Sequence, residues 1–214
     1  MTQEENLVKH GTTTVGIVCK DGIVLAADKR ATAGTLIADK ETQKIHALTD
    51  DIAMTMAGTA SDGQLLIRLA QSELSLKNIR TGKPILVKEA ANLVGRLVYN
   101  NIRKMSMIPG ISHFVMGGMD NTGHYLFDVF PDGTISECRK YVSSGSGSVM
   151  AYGVLETLYK QGISIDDGIK IAVQCINAAV QRDSASGEGI DIWTISNKGA
   201  KEFVSKRIQT KIEI

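Results

Sequence analysis

The amino-acid sequence predicts an α+β protein built as a four-layer α-β-β-α sandwich. The first observation is the order of its periodic segments: strands, two helices, strands, two helices and two final strands. The second is that the strand-like segments 23–27 and 114–119 are apolar on both faces, so each sheet needs a cover on both sides. Two sheets packed together, with helix pairs outside them, satisfy both observations. The 214 residues contain no linker or low-complexity tract, which favours a single domain.

The first part of the chain is predicted to form two β-hairpins. Asp21-Gly22, a dipeptide typical of tight hairpin turns, separates two runs of β-branched and apolar residues. Thr49-Asp50-Asp51 separates a second pair of runs in the same way. The four predicted strands span 12–20, 23–28, 44–48 and 52–57.

Four later segments show the apolar spacing of amphipathic helices. The first, over 61–79, is expected to bury Leu66, Leu69, Ala70 and Leu74. The second covers 87–104 and the third 149–161, while the fourth follows Ser164 and Asp167, a pair typical of a helix start. Further strands are predicted over 112–120, 124–130, 134–142, 190–196 and 200–204.

The composition indicates a soluble globular protein and argues against several functional classes. Hydrophobic residues make up 43% and charged residues 22%, and 24 Lys+Arg against 23 Asp+Glu leave a net charge of +1. This balance favours neither nucleic acid nor a membrane as a partner. No apolar run approaches the ~18 residues of a membrane span, and residues 1–11 lack the apolar stretch of a signal peptide. Three widely separated cysteines fit a reducing compartment, so we expect a cytoplasmic location.

The sequence also lacks the common motifs of metal and cofactor chemistry. It has no GxxxxGK[ST] loop, no HExxH motif and no GxSxG elbow, and its four histidines lack ligand spacing. We therefore expect neither a metal nor a cofactor. The serine-rich stretch 143–148 lies between a predicted strand and helix and leaves open a small-molecule or nucleotide-binding module, although no lysine follows it. Turn and helix-cap chemistry explains the same serines.

Gly11-Thr12-Thr13-Thr14 offers a different chemistry at the start of the first strand. Threonine favours strands, so an ordinary edge strand explains this run by itself. A threonine that becomes the N-terminal residue, however, carries its own base, because an α-amino group has a pKa of roughly 8. Cleavage of the Gly11–Thr12 bond would free that amine to take the proton of the Thr12 hydroxyl. The residues before the cut would then form a propeptide.

Six segments share the motifs of one protein family: GTTTVGI at 11–17, AADKRAT at 26–32, MAGTASD at 56–62, SSGSGS at 143–148, YGVLE at 152–156 and QRDSASG at 181–187. Together they make the chain resemble the proteasome β subunits of archaeal type, which are N-terminal-nucleophile hydrolases and threonine peptidases. The resemblance extends from Gly11 to about Val204 and implies the four-layer sandwich fold. It also implies that residues 1–11 are a propeptide removed by autocatalytic cleavage at Gly11–Thr12, leaving 12–214 as one peptidase domain.

The resemblance implies a role for each matching residue. Thr12 matches the nucleophile, and Asp28 and Lys44 match the pair beside it. A buried cation near the Thr12 amine disfavours amine protonation, so Lys44 is expected to lower the pKa of the amine while Asp28 holds Lys44 charged. Taken alone, without Thr12, an Asp–Lys pair is better explained as a structural ion pair. Gly58 matches the backbone N–H that stabilises the oxyanion. The remaining matches are Arg30 as a supporting residue and Ser146, Asp183 and Ser186 as an outer hydrogen-bonding group.

The resemblance also implies contacts with a peptide substrate. Thr32 matches the position where the main chain pairs with an extended substrate by strand addition. The implied specificity pocket is lined by Ala31, Thr42, His46, Met56 and Ala60. Met56 at its base makes the pocket mostly apolar, so we expect cleavage after hydrophobic residues, with His46 as a departure from a purely apolar wall.

The partners implied by the resemblance are other subunits of a large assembly. Seven-membered β rings would stack in pairs, be capped by α-subunit rings, and receive unfolded proteins from a regulatory ATPase. A noncatalytic structural ring subunit that keeps residues 1–11 is the alternative, and a two-ring bacterial relative without α subunits is another. None of the matched catalytic residues is missing, which favours the enzyme.

Overall fold

The computed structural model describes residues 11–107 and 109–208. The strands are β1 (Thr14–Cys19), β2 (Gly22–Asp28), β3 (Ala31–Ala33), β4 (Leu36–Asp39), β5 (Ile45–Thr49), β6 (Ile52–Thr55), β7 (Ala57–Gly58), β8 (Ser112–Asp120), β9 (Gly123–Val129), β10 (Ile135–Cys138), β11 (Tyr141–Ser144), β12 (Gly189–Ser196) and β13 (Gly199–Arg207). The helices are α1 (Ala60–Thr81), α2 (Val87–Ile102), α3 (Ser148–Leu158) and α4 (Ile165–Arg182).

Two antiparallel sheets form the middle of the molecule. The first sheet has the order β11-β1-β2-β12-β13, and the second has the order β10-β9-β8-β6-β5, with β7 paired to β8. Asp21-Gly22 turns β1 into β2, so that Cys19 lies opposite Gly22, as the dipeptide predicts. A separate two-stranded sheet, β3 with β4, follows the end of β2.

Three apolar clusters hold the layers together. Ile23, Leu25, Val115 and Leu126 belong to the cluster that joins strands of the two sheets. The α1–α2 pair packs on the outer face of the second sheet, and the α3–α4 pair packs on the outer face of the first. Each sheet is therefore apolar on both faces, and the predicted α-β-β-α sandwich is confirmed.

Local sequence explains where several helices begin and end. α1 stops at Gly82, whose φ of 62° places it in the left-handed region that glycine adopts without strain. α4 starts at Ser164, whose side-chain oxygen accepts the backbone N–H of Asp167 at 3.2 Å. Within the part of the chain that the structure describes, none of the helices combines the length and apolar character needed to cross a lipid bilayer.

One expectation about the strands was wrong, and one hairpin was not predicted. The segment 134–142, expected to be one strand, forms two: β10 pairs with β9 in the second sheet, whereas β11 pairs with β1 in the first. The chain changes sheets at Arg139-Lys140, and strand propensity carries no information about such a crossing. The β3–β4 hairpin was not predicted, although Gly34, with a φ of 62°, forms part of its turn.

The prediction for the buried face of α1 was also wrong at one residue. Leu69 is 40% exposed, and Ile67 is buried in its place beside Leu66, Ala70 and Leu74. The buried residues of α1 span a continuous arc, and Leu69 lies about 120° around the helix from its centre at 100° per residue. Leucine spacing alone therefore misplaced the edge of this face.

Candidate active site

The predicted catalytic residues converge at one end of the sandwich. The antiparallel pairing of β1 with β2 puts Thr12, just before β1, beside Asp28, the last residue of β2. β12 begins next to Asp28, with Ile190 as its register partner, and this brings the loop after α4 to the same end. Segments distant in the chain thus meet because alternating strand directions return them to a common edge.

Thr12 is almost completely buried, with 5% of its surface exposed. Its hydroxyl donates a hydrogen bond of 2.6 Å to the carbonyl oxygen of Gly11, the residue on the other side of the predicted cleavage site. Its backbone N–H donates to Ser146 Oγ at 3.3 Å. The side chain that would attack and the peptide bond that would be cut therefore lie side by side.

Asp28 and Lys44 form a buried ion pair next to Thr12. Lys44 Nζ lies 2.7 Å from Asp28 Oδ1, and the two side chains are 3% and 0% exposed. The same Oδ1 accepts the Thr13 N–H at 2.9 Å, while Oδ2 accepts the N–H groups of Gly187 at 2.9 Å and Arg30 at 3.1 Å. Four donors therefore hold one carboxylate and fix its orientation.

Burial lowers the pKa of Lys44 below its ordinary value, because a buried ammonium loses its hydration. Asp28 opposes this shift through its charge and its hydrogen bond, and Asp183 opposes it more weakly through its charge. The protonation of Lys44 consequently depends on Asp28.

Ser146, Asp183 and Ser186 form one hydrogen-bonded chain that also includes Thr13. Asp183 Oδ2 accepts the hydroxyl of Ser146 at 2.5 Å and that of Ser186 at 2.6 Å. Ser186 Oγ lies 2.7 Å from Thr13 Oγ1, and because the Ser186 proton points to Asp183, the Thr13 hydroxyl is the donor. The chain thus reaches the Thr12 nitrogen through Ser146.

A small cavity of about 30 Å³ opens beside Thr12. Its lining comprises Gly11, Thr12, Ala31, Thr32, Thr42, Lys44, Met56, Gly58 and Ala60. Four of the five residues expected in the specificity pocket are in this set. His46 is not among these lining residues, and its Nε2 lies 3.1 Å from the carbonyl oxygen of Gln43. Burial lowers the pKa of His46.

Gly58 borders this cavity in β7 with a backbone that only glycine tolerates well. Its φ is 101°, and a β-carbon there would collide with the carbonyl oxygen of Ile111. The Thr32 hydroxyl accepts the N–H of Gly11 at 3.2 Å. Gly58 and Thr32 therefore line the same cavity as Gly11 and Thr12.

Comparison with known proteins yields the same family. Residues 8–195 match the family model described as Proteasome subunit. The chain belongs to the proteasome subunit family. It is 44% identical to the proteasome subunit beta of Ferroglobus placidus over 206 residues, which cover 96% of each chain. It is 42% identical to that of Methanococcus maripaludis strain C5 over 200 residues, which cover 93% of this chain and 90% of the relative. It is 39% identical to the proteasome subunit beta of Methanocaldococcus jannaschii over 203 residues, which cover 94% of this chain and 89% of the relative.

This proteasome subunit also contains site residues that the sequence analysis missed. Thr13 was treated only as part of a strand edge, yet it contacts both Asp28 and Ser186. Gly187 donates to Asp28 through its backbone, and a backbone contact leaves no side-chain pattern to detect. Glu188 pairs with Arg30. The left-handed backbone of Glu188 could not have been predicted from its residue type, because glutamate rarely adopts this conformation.

No group of three or more His, Cys, Asp or Glu side chains among the described residues is arranged to hold a metal ion. Asp28 and Asp183 are instead occupied by N–H, hydroxyl and ammonium donors. The described groups can supply a nucleophile, a cation and hydrogen bonds.

Proposed function

We propose that this chain is a catalytic proteasome β subunit that cleaves peptide bonds with Thr12 as the nucleophile. The observation that carries the proposal is the 2.6 Å hydrogen bond between the Thr12 hydroxyl and the Gly11 carbonyl, beside the buried Asp28–Lys44 pair. An ordinary strand edge requires neither this contact nor a buried cation. Family membership supports the proposal, since the curated relatives are named proteasome subunit beta.

The first step in this mechanism is cleavage of the chain by itself. Thr12 Oγ attacks the carbonyl carbon of Gly11, the C–N bond breaks, and the hydroxyl proton passes to the departing nitrogen of Thr12. The product is an ester between Gly11 and the Thr12 side chain. Water then hydrolyses the ester, which leaves a carboxyl group on Gly11 and a free α-amine on Thr12.

Cleavage of substrate repeats this chemistry with the free amine as base. The α-amine takes the Thr12 hydroxyl proton while Oγ attacks a substrate carbonyl, and the Gly58 N–H is positioned to stabilise the oxyanion. The proton then passes to the leaving amine of the substrate, and an acyl ester remains on Thr12. Water hydrolyses this ester, releases the acid product and restores the hydroxyl.

Lys44 and Asp28 control the protonation of the base. A cation near the α-amine disfavours the protonated amine, so that more of it is free to accept a proton at neutral pH. Since burial lowers the pKa of Lys44 itself, the Asp28 carboxylate is needed to keep this cation charged. The Ser146–Asp183–Ser186 chain orients the hydroxyl that contacts the Thr12 nitrogen.

Substrates and partners follow from the family and the cavity. The lining by Met56, Ala31 and Ala60 favours cleavage after hydrophobic residues. We further propose that the chain works in the cytoplasm within paired seven-membered β rings, capped by α-subunit rings and supplied with unfolded protein by a regulatory ATPase. Residues 1–10, the rest of the proposed propeptide, lie outside the described residues.

The deciding experiment is intact-mass measurement and peptide hydrolysis on assembled particles. Wild type should lose residues 1–11 and hydrolyse fluorogenic peptides, whereas Thr12→Ala should retain the leader and be inactive. Thr12→Ser keeps a hydroxyl and should process itself, and Thr122→Ala, an exposed threonine in a turn, should behave as wild type. Mature particles that keep residues 1–11 would instead identify a noncatalytic ring subunit.

A further inference from the structure

The loop between α4 and β12 presents Asp183 and Ser186 to the site, and an ion pair fastens this loop from outside. Arg30 Nη2 donates to Glu188 Oε1 at 3.0 Å, and Arg30 Nη1 donates to the carbonyl oxygen of Ser184 at 2.8 Å. The pair is largely shielded, with side-chain exposures of 22% for Arg30 and 15% for Glu188. One guanidinium therefore spans the loop from residue 184 to residue 188.

The loop is packed closely against this guanidinium. A β-carbon at Gly187 would lie 2.5 to 2.7 Å from Arg30 Nη2, Cζ and Nε, so a side chain at this position would have to displace the guanidinium. The N–H of the same Gly187 donates to Asp28 Oδ2. A displacement of Arg30 would therefore also move Gly187 and disturb the Asp28 carboxylate, which pairs with Lys44.

The backbone of Glu188 is strained at this point. Its φ is 65°, and it is the one non-glycine residue with a positive φ among the described residues. A residue with a β-carbon pays a conformational cost there that glycine avoids. Such outliers persist where the surrounding contacts enforce them, and they concentrate at functional sites. Here the contact that holds the strained backbone in place is the one between the Glu188 carboxylate and Arg30.

We propose that Glu188, acting through Arg30, is a positioning residue that sets the geometry of the Asp183–Ser186 loop around Thr12. This inference rests on the proposed threonine-peptidase function and adds a residue to it. Its carboxylate fixes Arg30, Arg30 fixes Ser184 and packs on Gly187, and the loop then aligns Asp183 with Ser146. Because Ser146 contacts the Thr12 nitrogen, loosening the loop should impair proton transfer more than substrate binding.

The test uses Glu188→Gln and Glu188→Gly in assembled full-length particles, with Glu202→Gln as the control for an exposed glutamate on β13. Both Glu188 variants should lower kcat about tenfold with little change in KM, and both should shift the pH profile of kcat/KM. Glu188→Gly removes the strain, so it should lose activity while its melting temperature stays equal or rises. A purely structural residue would not separate activity from stability in this way.

Other results would overturn the inference. Wild-type kcat and pH profile in both Glu188 variants would remove the positioning role and leave the proposed function intact. A kcat loss that only parallels a fall in melting temperature, with an unmoved pH profile, would assign Glu188 to stability alone. Full activity of Thr12→Ala would reject the proposed function itself, and with it this inference.

Discussion

Two buried ion pairs start from consecutive residues of the chain and differ in what surrounds them. Asp28 pairs with Lys44 at 2.7 Å, and Lys29 pairs with Asp191 on β12 at 2.6 Å. All four side chains are nine-tenths or more buried. Distance and burial therefore do not distinguish the pair proposed to be catalytic from a structural one.

The hydrogen bonds around the two carboxylates do distinguish them. Asp28 accepts three backbone N–H groups besides Lys44, including those of Thr13 and Gly187. Apart from the ion pair with Lys29, neither oxygen of Asp191 has a hydrogen-bond partner among the described residues. The first pair is thus bonded to Thr13, the neighbour of the proposed nucleophile Thr12, whereas the second joins the end of β2 to β12.

The largest expected effect is on the catalytic pair. Lys44→Ala removes the cation beside the Thr12 amine, so the amine should be protonated more often and turnover should fall by roughly 10²- to 10⁴-fold. Peptide hydrolysis by assembled particles measures turnover, and intact mass measures self-processing, which should fail as well. Lys40→Ala, an exposed lysine nearby, is the control. Unchanged turnover in Lys44→Ala would refute the role assigned to its charge.

The second effect is on stability. Asp191→Ala leaves the Lys29 cation buried without its partner and should destabilise the protein by about 3–5 kcal/mol, with little change in kcat for particles that still assemble. Calorimetry at fixed particle concentration would measure the fall in melting temperature. Replacing both partners, as in Lys29→Met with Asp191→Leu, should recover most of the loss because no buried charge remains. A kcat loss as large as that of Lys44→Ala would erase the distinction between the pairs.

The smallest effect concerns His46, a titratable group whose ring nitrogen contacts a backbone carbonyl instead of a carboxylate. Burial lowers the pKa of His46 in the folded state, so below pH about 6.5 the unfolded chain binds a proton that the folded chain resists. Stability from this group is present at neutral pH and is lost as the pH falls. His46→Gln should therefore show a smaller drop in melting temperature between pH 7.5 and 5.5. An equal drop in both proteins would show that His46 makes no contribution.

Much of this architecture was predictable because local patterns report local structure. Asp21-Gly22 marks its hairpin, Gly82 ends α1, and the Ser164–Asp167 pair starts α4, since each depends on neighbours within a few residues. The change of sheet at residues 139–140 was not predictable, because it depends on which other strand pairs with β10 and which pairs with β11. The burial of Ile67 in place of Leu69 depends likewise on the direction from which the second sheet approaches α1.

Residue pattern alone indicated the layer order, the family resemblance and the residue types available for chemistry. The folded chain set which of these residues meet. It placed the Thr12 hydroxyl against the Gly11 carbonyl, kept His46 out of the cavity lining, and joined Thr13, Gly187 and Glu188 to the site. This is because these contacts join segments up to 173 positions apart, and several pass through backbone groups that every residue carries.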